Sequence, residues 1–119
     1  MTYKLLHGDD PSIETFRGVF VKIRKALGTT AFGLNELRMP PGAEGLEHDE
    51  SATGHEEVYF VLSGSGTATV DGDAVTIAAG DYLLVGADST RQIVAGPDGL
   101  RFIVIAGKPQ PAYDGRASL

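Results

Sequence analysis

Glycine and proline divide the chain into short runs rich in valine, isoleucine, threonine, phenylalanine and tyrosine, and this punctuation limits the folds open to it. Sixteen glycines and six prolines are spread over 119 residues, without an internal repeat or a low-complexity tract. Eight such runs are found, at 19–23, 30–39, 58–62, 67–70, 74–77, 82–85, 92–95 and 100–106. Short strands with a turn after about every 8–12 residues are typical of an antiparallel sandwich or barrel. The pattern therefore predicts an all-β protein.

Two turn motifs and one ambiguous segment refine this prediction. Residues 70–73, Val-Asp-Gly-Asp, are a strong hairpin signal because Asp-Gly accepts the positive φ of a tight turn. Residues 96–99, Gly-Pro-Asp-Gly, have the composition of a turn that joins the last two strands. Residues 19–23 fit both helical and alternating spacing, and Gly18 with the neighbouring β-branched residues favours a strand.

Composition excludes several classes of protein. Ten Lys and Arg against sixteen Asp and Glu leave a net charge of −6 at pH 7, which gives no electrostatic footprint for nucleic acid. No apolar run approaches the roughly 20 residues that a membrane span needs, and the N-terminus lacks a signal-peptide core. The absence of cysteine excludes disulfides and thiolate metal sites. We expect one cytoplasmic domain over residues 1–119, with the barrel at about 30–106 and a Pro- and Gly-rich tail at 107–119.

Charge is distributed unevenly along the chain. No Lys or Arg occurs from Met39 to Thr90, a stretch of 52 residues that contains ten acidic residues. All ten basic residues lie in the other 67 residues, together with only six acids. Such a segment attracts a cation, faces basic groups from elsewhere in the fold, or is simply a solvated acidic surface. Glu57 differs from the other acids because it begins an apolar strand.

Two of the three histidines lie close to carboxylates within this segment. In a strand that begins here, His55, Glu57 and Tyr59 share one face, because side chains alternate along a strand. His48 can join them from the preceding strand or loop. Two neutral imidazoles and a carboxylate with open positions suit Fe(II), Mn(II), Ni(II) or Zn(II). We therefore predict His48, His55 and Glu57 as metal ligands.

The same stretch resembles the first motif of the cupin superfamily, in which a glycine is followed by His-x-His, a glutamate and a second glycine at set spacings. Gly42, His48, Glu57 and Gly64 stand at matching positions. Residues 80–85, Gly-Asp-Tyr-Leu-Leu-Val, resemble the opening of the second motif, so that the resemblance covers about residues 35–106. It implies an antiparallel jelly-roll β-barrel, also called a double-stranded β-helix. It does not select a function, because this fold hosts oxygenases, isomerases, binding modules and storage proteins.

The chain departs from the family pattern at the site. Glu50 stands where the resemblance implies a second histidine, and the loop before Glu57 is longer by about two or three residues, so His55 is a candidate substitute ligand. Counting from Gly80, Arg91 stands where the second motif ends in histidine. A guanidinium has no free lone pair, so it cannot coordinate a metal.

Arg91 therefore leaves three alternatives open. It can pair with Glu57 across the barrel and replace metal charge by a buried salt bridge. It can sit beside a metal and clamp a carboxylate or phosphate of a bound ligand. It can also lie at the barrel rim and serve solubility.

The sequence thus predicts a pocket for a small polar or anionic molecule, lined by Asn35, Glu50, Tyr59 and Arg91. In one hypothesis the pocket also holds a divalent metal, and an enzyme built this way would be of oxygenase or isomerase type, with Glu50 or Tyr59 moving protons. In a second, the protein is a metal-free binding or sensing module with a Glu57–Arg91 pair. In a third, it is an interaction domain whose own side chains fill the pocket.

The strand at 58–62 is apolar on both faces. Val58, Phe60 and Leu62 alternate with the inward residues, whereas a strand with a solvated outer face carries polar side chains there. We expect another element or a second subunit to cover them. Because cupins commonly dimerise by pairing sheets, the resemblance implies a C2 homodimer.

Overall fold

The computed structural model describes residues 2–110, which form seven antiparallel strands and one short helix. The elements are β1 (Thr15–Phe16), β2 (Phe20–Val21), α1 (Ile23–Leu27), β3 (Gly33–Met39), β4 (Glu56–Val70), β5 (Asp73–Ala78), β6 (Tyr82–Val85) and β7 (Arg91–Gly107). The strand order is β1-β2-β3-β7-β4-β5, and β6 pairs with the first half of β4. The predicted all-β antiparallel jelly-roll fold is confirmed. No helix within residues 2–110 is long and apolar enough to cross a membrane.

Strands β4 and β7 are longer than the sequence predicted. The runs at 58–62 and 67–70 belong to one strand, as do those at 92–95 and 100–106. The predicted turn at 96–99 is wrong, because these residues stay within β7 and form an irregularity opposite β4, where the pairing shifts from Gly64–Leu100 to Gly66–Ala95. Gly64 has a φ of 78°, and a Cβ on Gly66 would lie 2.6 Å from the Val94 carbonyl oxygen. Glycine therefore allows the two strands to bend together instead of ending.

The other local predictions have mixed outcomes. The hairpin is confirmed, since Val70 pairs with Asp73 and the two turn residues, Asp71 and Gly72, have φ of 48° and 87°. The single strand predicted at 19–23 is wrong: the structure has a two-residue β2, and then α1 begins at Ile23. The proposed tail is outside the described part of the chain from residue 111 onward, and β7 continues to Gly107.

The inner face of the barrel forms the apolar core. Along β4, Glu57, Tyr59 and Val61 are buried and point inward, while the residues between them are only half-buried. The core continues through the inward residues of neighbouring strands, including Met39, Ala68, Ile77, Val85, Ile93, Leu100 and Phe102. Alternation on β4 therefore places a carboxylate and a phenol on the same face as the core.

An ion cluster lies outside the barrel, where β3 meets β7. Arg38 and Arg101 stand directly opposite each other, and both donate through Nε to the Oε1 atom of Glu36, from 2.9 Å in the case of Arg38. Burial would raise the pKa of the Glu36 carboxyl, but the hydrogen bonds from the two guanidinium groups outweigh it and hold the pKa below the ordinary value. The shared carboxylate relieves the repulsion between two like charges on paired strands.

We predict that Glu36→Gln lowers the free energy of unfolding by about 2 kcal/mol at neutral pH, because it replaces the charged acceptor of two guanidinium groups by a neutral one. A carboxyl with a lowered folded-state pKa stabilises the fold above its ordinary value of 4.5, and this contribution is lost as the pH falls through the folded-state pKa. Urea denaturation across this range should show the difference shrinking on the acid side. Glu47→Gln, an exposed charge change, is the control. A difference that does not depend on pH would contradict the assignment.

Candidate functional site

A cavity of about 390 Å³ opens between β2, β3, β4 and β7. Most of its wall is apolar, and the side chains that form it include Phe20, Leu37, Met39, Leu46, Ile93, Phe102 and Val104. Its polar side chains are Asn35, His48, Glu50, Glu57, Tyr59 and Arg91. A largely apolar cavity with a few polar groups is the usual form of a small-molecule site.

Three of the polar side chains form a group that could hold a metal ion. One donor atom from each of His48, Glu50 and Glu57 lies within 4.8 Å of the others. The His48 Nε2 atom is 3.5 Å from Glu50 Oε1 and 3.7 Å from Glu57 Oε1. Two donors that each lie about 2.1 Å from one ion are separated by roughly 3.0–3.5 Å, so a small inward movement would complete such a site.

His48 is oriented by its own backbone and by the carbonyl of Leu46. It forms an isolated antiparallel bridge with Arg91, with N···O distances of 3.0 and 2.8 Å. Its Nδ1 atom is 3.1 Å from the Leu46 carbonyl oxygen. A proton on Nδ1 donates to this oxygen and leaves the Nε2 lone pair facing the two carboxylates.

Glu50 joins this group, and His55 does not. The Glu50 backbone N–H donates to the Ala87 carbonyl oxygen at 2.8 Å, and the Glu50 carbonyl accepts from Thr53 and Gly54, which closes a turn. β4 begins only at Glu56, so the strand alternation that was expected to bring His55 next to Glu57 does not apply at residue 55. The signal for Glu50 was present, because it stands two residues after His48, where the family motif has its second histidine.

Glu57 and Tyr59 form a buried pair on β4. The Tyr59 hydroxyl donates to Glu57 Oε1 at 2.6 Å, and Tyr59 and Glu57 are only 4% and 8% exposed. Burial raises the pKa of Tyr59 well above its ordinary range, and the hydrogen bond to the Glu57 carboxylate raises it further. Tyr59 therefore keeps its proton and acts as a hydrogen-bond donor to the carboxylate.

Arg91 lies inside the barrel, with a side chain only 1% exposed, so the rim position is wrong. Its Nη2 atom is 3.5 Å from Glu57 Oε1, and Nη1 donates to the Ser89 carbonyl oxygen at 2.9 Å. Its Nε atom has no hydrogen-bond partner among the described residues. The guanidinium therefore provides a buried positive charge beside Glu57.

The sequence identified the polar residues that line the cavity, but it missed most of the apolar residues of the cavity wall. Asn35, Glu50, Tyr59 and Arg91 all line the cavity, although their contact with a ligand stays a prediction. Phe20 and Leu46 were missed because each lies in a short or irregular segment without a clear periodicity. Phe102 and Val104 were also not predicted, although alternation along the last strand could have found them.

The donor set fits a divalent metal ion. One imidazole nitrogen and two carboxylate oxygens, grouped at one side of a cavity, are ligands that Mn(II), Fe(II) and Zn(II) accept. Among residues 2–110, three protein donors come together in this group, so positions would remain for a substrate or water. The set does not select among these ions.

Comparison with known proteins identifies the fold family. A family model described as Cupin domain matches residues 35–107. The crystal structure of a cupin protein from Bacteroides fragilis is similar over 100% of this chain and 99% of that chain, with 28% identity and a TM-score of 0.77. An RmlC-like cupin from Shewanella frigidimarina covers 92% of this chain and 93% of its own, with 20% identity and a TM-score of 0.68. At this identity the second likeness concerns the fold alone.

A curated enzyme shares a shorter segment of sequence. Dimethylsulfoniopropionate lyase DddW from Ruegeria pomeroyi is 48% identical over 46 residues, which is 39% of this chain. The matched segment spans 30% of that enzyme's length.

Proposed function

Because this chain belongs to the cupin family, with its domain at residues 35–107, we propose that it binds a small molecule in the barrel next to a divalent metal ion held by His48, Glu50 and Glu57. The observation that carries the proposal is the grouping of these three donors within 4.8 Å at the polar end of the 390 Å³ cavity. The apolar walls suit a ligand with a compact hydrocarbon part, and the proposed metal site suits an acidic group on the same ligand.

The charge of the site favours a ligand with a single negative charge. With both carboxylates ionised, His48 neutral and Arg91 protonated, the formal charge of the polar end is −1. A bound divalent ion changes it to +1, which a carboxylate would neutralise. The metal supplies Lewis-acid polarisation when bound. The chain's own residues orient its ligands: Tyr59 holds Glu57 by a 2.6 Å hydrogen bond, and the Leu46 carbonyl orients His48.

We predict near-stoichiometric Mn, Fe, Ni or Zn in protein purified without an affinity tag, measured by mass spectrometry. His48→Ala and Glu57→Ala should lose it, because each removes one of the three grouped donors. His55→Ala is the matched control: it also removes an imidazole, but from outside the group, so it should keep the metal. A wild type that takes up none of these ions after incubation would overturn the metal site.

In that case the metal-free binding or sensing module remains, and the observation in its favour is the 3.5 Å ion pair between Arg91 and Glu57. A monoanion screen by thermal shift would then be directed at the same cavity, since a ligand that binds only the folded protein raises its melting temperature.

A second candidate is a lyase that acts on dimethylsulfoniopropionate, suggested by the relative with 48% identity over 46 residues. This molecule carries a carboxylate at one end and a sulfonium cation at the other. Phe20, Tyr59 and Phe102 line the cavity, and aromatic faces attract such onium cations. Elimination removes a proton next to the carboxylate, and dimethyl sulfide leaves with the electron pair of the C–S bond, which yields acrylate. Glu50 is the more exposed of the two carboxylates, and its Oε2 atom, which lies away from His48, can accept this proton, whereas Tyr59 keeps its own.

We predict that the metal-loaded protein releases dimethyl sulfide from dimethylsulfoniopropionate, detected by headspace gas chromatography. His48→Ala should abolish the release, and His55→Ala should retain it. Protein that carries metal but releases no dimethyl sulfide would exclude this substrate without affecting the metal site.

We also propose that the chain forms a homodimer through the outer face of the sheet. Tyr82 and Leu84 are 73% and 62% exposed and lie beside the half-buried Val58 and Phe60. The rings of Phe60 and Tyr82 are stacked with centroids 4.5 Å apart, so this side of the sheet presents a continuous apolar surface. A cytoplasmic location is a separate prediction that rests on the sequence alone.

Leu84→Lys should shift the protein toward the monomer in light scattering coupled to size exclusion, because it places a charge in the proposed interface. Leu5→Lys changes another exposed leucine, 73% exposed, and should leave the mass of the assembly unchanged. A wild type that is monomeric at high concentration would contradict the dimer.

A further inference from the structure

Arg91 is a buried cation whose surroundings satisfy it only in part. It is the largest fully buried side chain in the described part of the chain, and a guanidinium keeps its charge in proteins. Among the contacts of its guanidinium with the described residues, the one with the Ser89 carbonyl oxygen is short, at 2.9 Å. The Val85 carbonyl oxygen and the Glu57 carboxylate are each 3.5 Å from Nη2, and Nε has no partner among residues 2–110. A buried charge held in this way needs a nearby opposite charge.

That opposite charge is the same carboxylate that the metal would use. Glu57 Oε1 accepts a hydrogen bond from Tyr59 and is close to both Arg91 Nη2 and His48 Nε2. The backbone bridge between His48 and Arg91 keeps the guanidinium at the site. An ion at this position and Arg91 would therefore share Glu57 and repel each other across a few ångströms of poorly screened interior.

We propose that Arg91 is an internal counter-charge that stabilises the metal-free protein and weakens the affinity of the site for divalent ions. This inference rests on the proposed metal site. Arg91 acts through Glu57, so it is a positioning residue and an affinity-determining residue, not a ligand. The barrel then stays folded without metal, and the bound ion is held less tightly than it would be without the charge of Arg91. A ligand with a negative charge reduces the repulsion and strengthens metal binding.

The test is the affinity of the protein for Mn(II) and Zn(II), measured by competition with a chromophoric chelator at fixed pH and ionic strength. Arg91→Gln removes the charge and should bind each ion more tightly by about tenfold or more. Arg91→Lys keeps the charge and should stay close to the wild type. Arg24→Gln makes the same change in net charge on the exposed helix α1, far along the chain from the site, and should also match the wild type.

Thermal stability provides a second readout. Without metal, Arg91→Gln should melt at a lower temperature than the wild type, because Glu57 loses its counter-charge, and saturating Mn(II) should recover more stability in the variant than in the wild type. If Arg91→Gln does not fold, Arg91→Met removes the charge, keeps much of the side-chain volume and adds no nitrogen or oxygen donor, and the same comparison is made with it. If neither variant folds alone, each is refolded in the presence of Mn(II). Recovery of folded, metal-bound protein supports the proposed role of Arg91. No recovery overturns it.

The outcomes separate this inference from the proposed function. Metal binding by the wild type with no gain in Arg91→Gln overturns the role of Arg91 and leaves the metal site intact. Metal binding by the variant alone supports the role of Arg91 and overturns a metal in the native protein. Binding by neither protein overturns both.

Discussion

The antiparallel pairing of β4 with β7 is the constraint on which the site depends. The two strands are paired from Glu56–Gly107 at one end to Val70–Arg91 at the other, with an irregularity at the glycines in between. In a flat ladder Glu57 and Arg91 would lie at opposite ends. In the folded barrel their side chains are 3.5 Å apart. The irregularity at Gly64 and Gly66, together with the pairing of Glu57 with Val85 on β6, is consistent with both strand starts reaching one cavity, since Arg91 lies beside the Val85 carbonyl oxygen.

The regular parts of this fold could be predicted from the sequence, and the bend could not. Runs of β-branched and aromatic residues mark the strands, and Asp71-Gly72 marks its hairpin, because these signals are local. Residues 96–99 have the same chemistry as a turn, yet they remain within β7. Glycine permits positive φ in a turn and in an irregular strand alike, so the outcome depends on the partner strand, here the segment around Gly64.

The same difference between local signals and contacts with distant segments explains which metal donors the sequence could predict. His48 and Glu57 followed from spacing and from the family motif, and the structure brings them together. The choice of His55 assumed that the strand began before residue 56, whereas Glu50 is directed toward the site by a backbone hydrogen bond to Ala87. That contact joins segments 37 residues apart (87 − 50) and has no local signature. The long acidic segment likewise has two uses: Glu50 and Glu57 line the cavity, while Asp71 and Asp81 accept backbone hydrogen bonds from Thr90 and Ala78.

The two faces of β4 limit where the chain can tolerate insertions and deletions. Glu57 and Tyr59 face the cavity, and Val58 and Phe60 face outward, so adjacent residues serve different surfaces. A single-residue insertion or deletion within the strand would exchange the two sets at once, placing a carboxylate on the apolar outer surface and a phenylalanine among the polar groups. Changes of length are therefore tolerated only where no alternation has begun. The segment at residues 51–55, between Glu50 and the strand, is such a place, because an added residue there leaves the alternation along β4 unchanged.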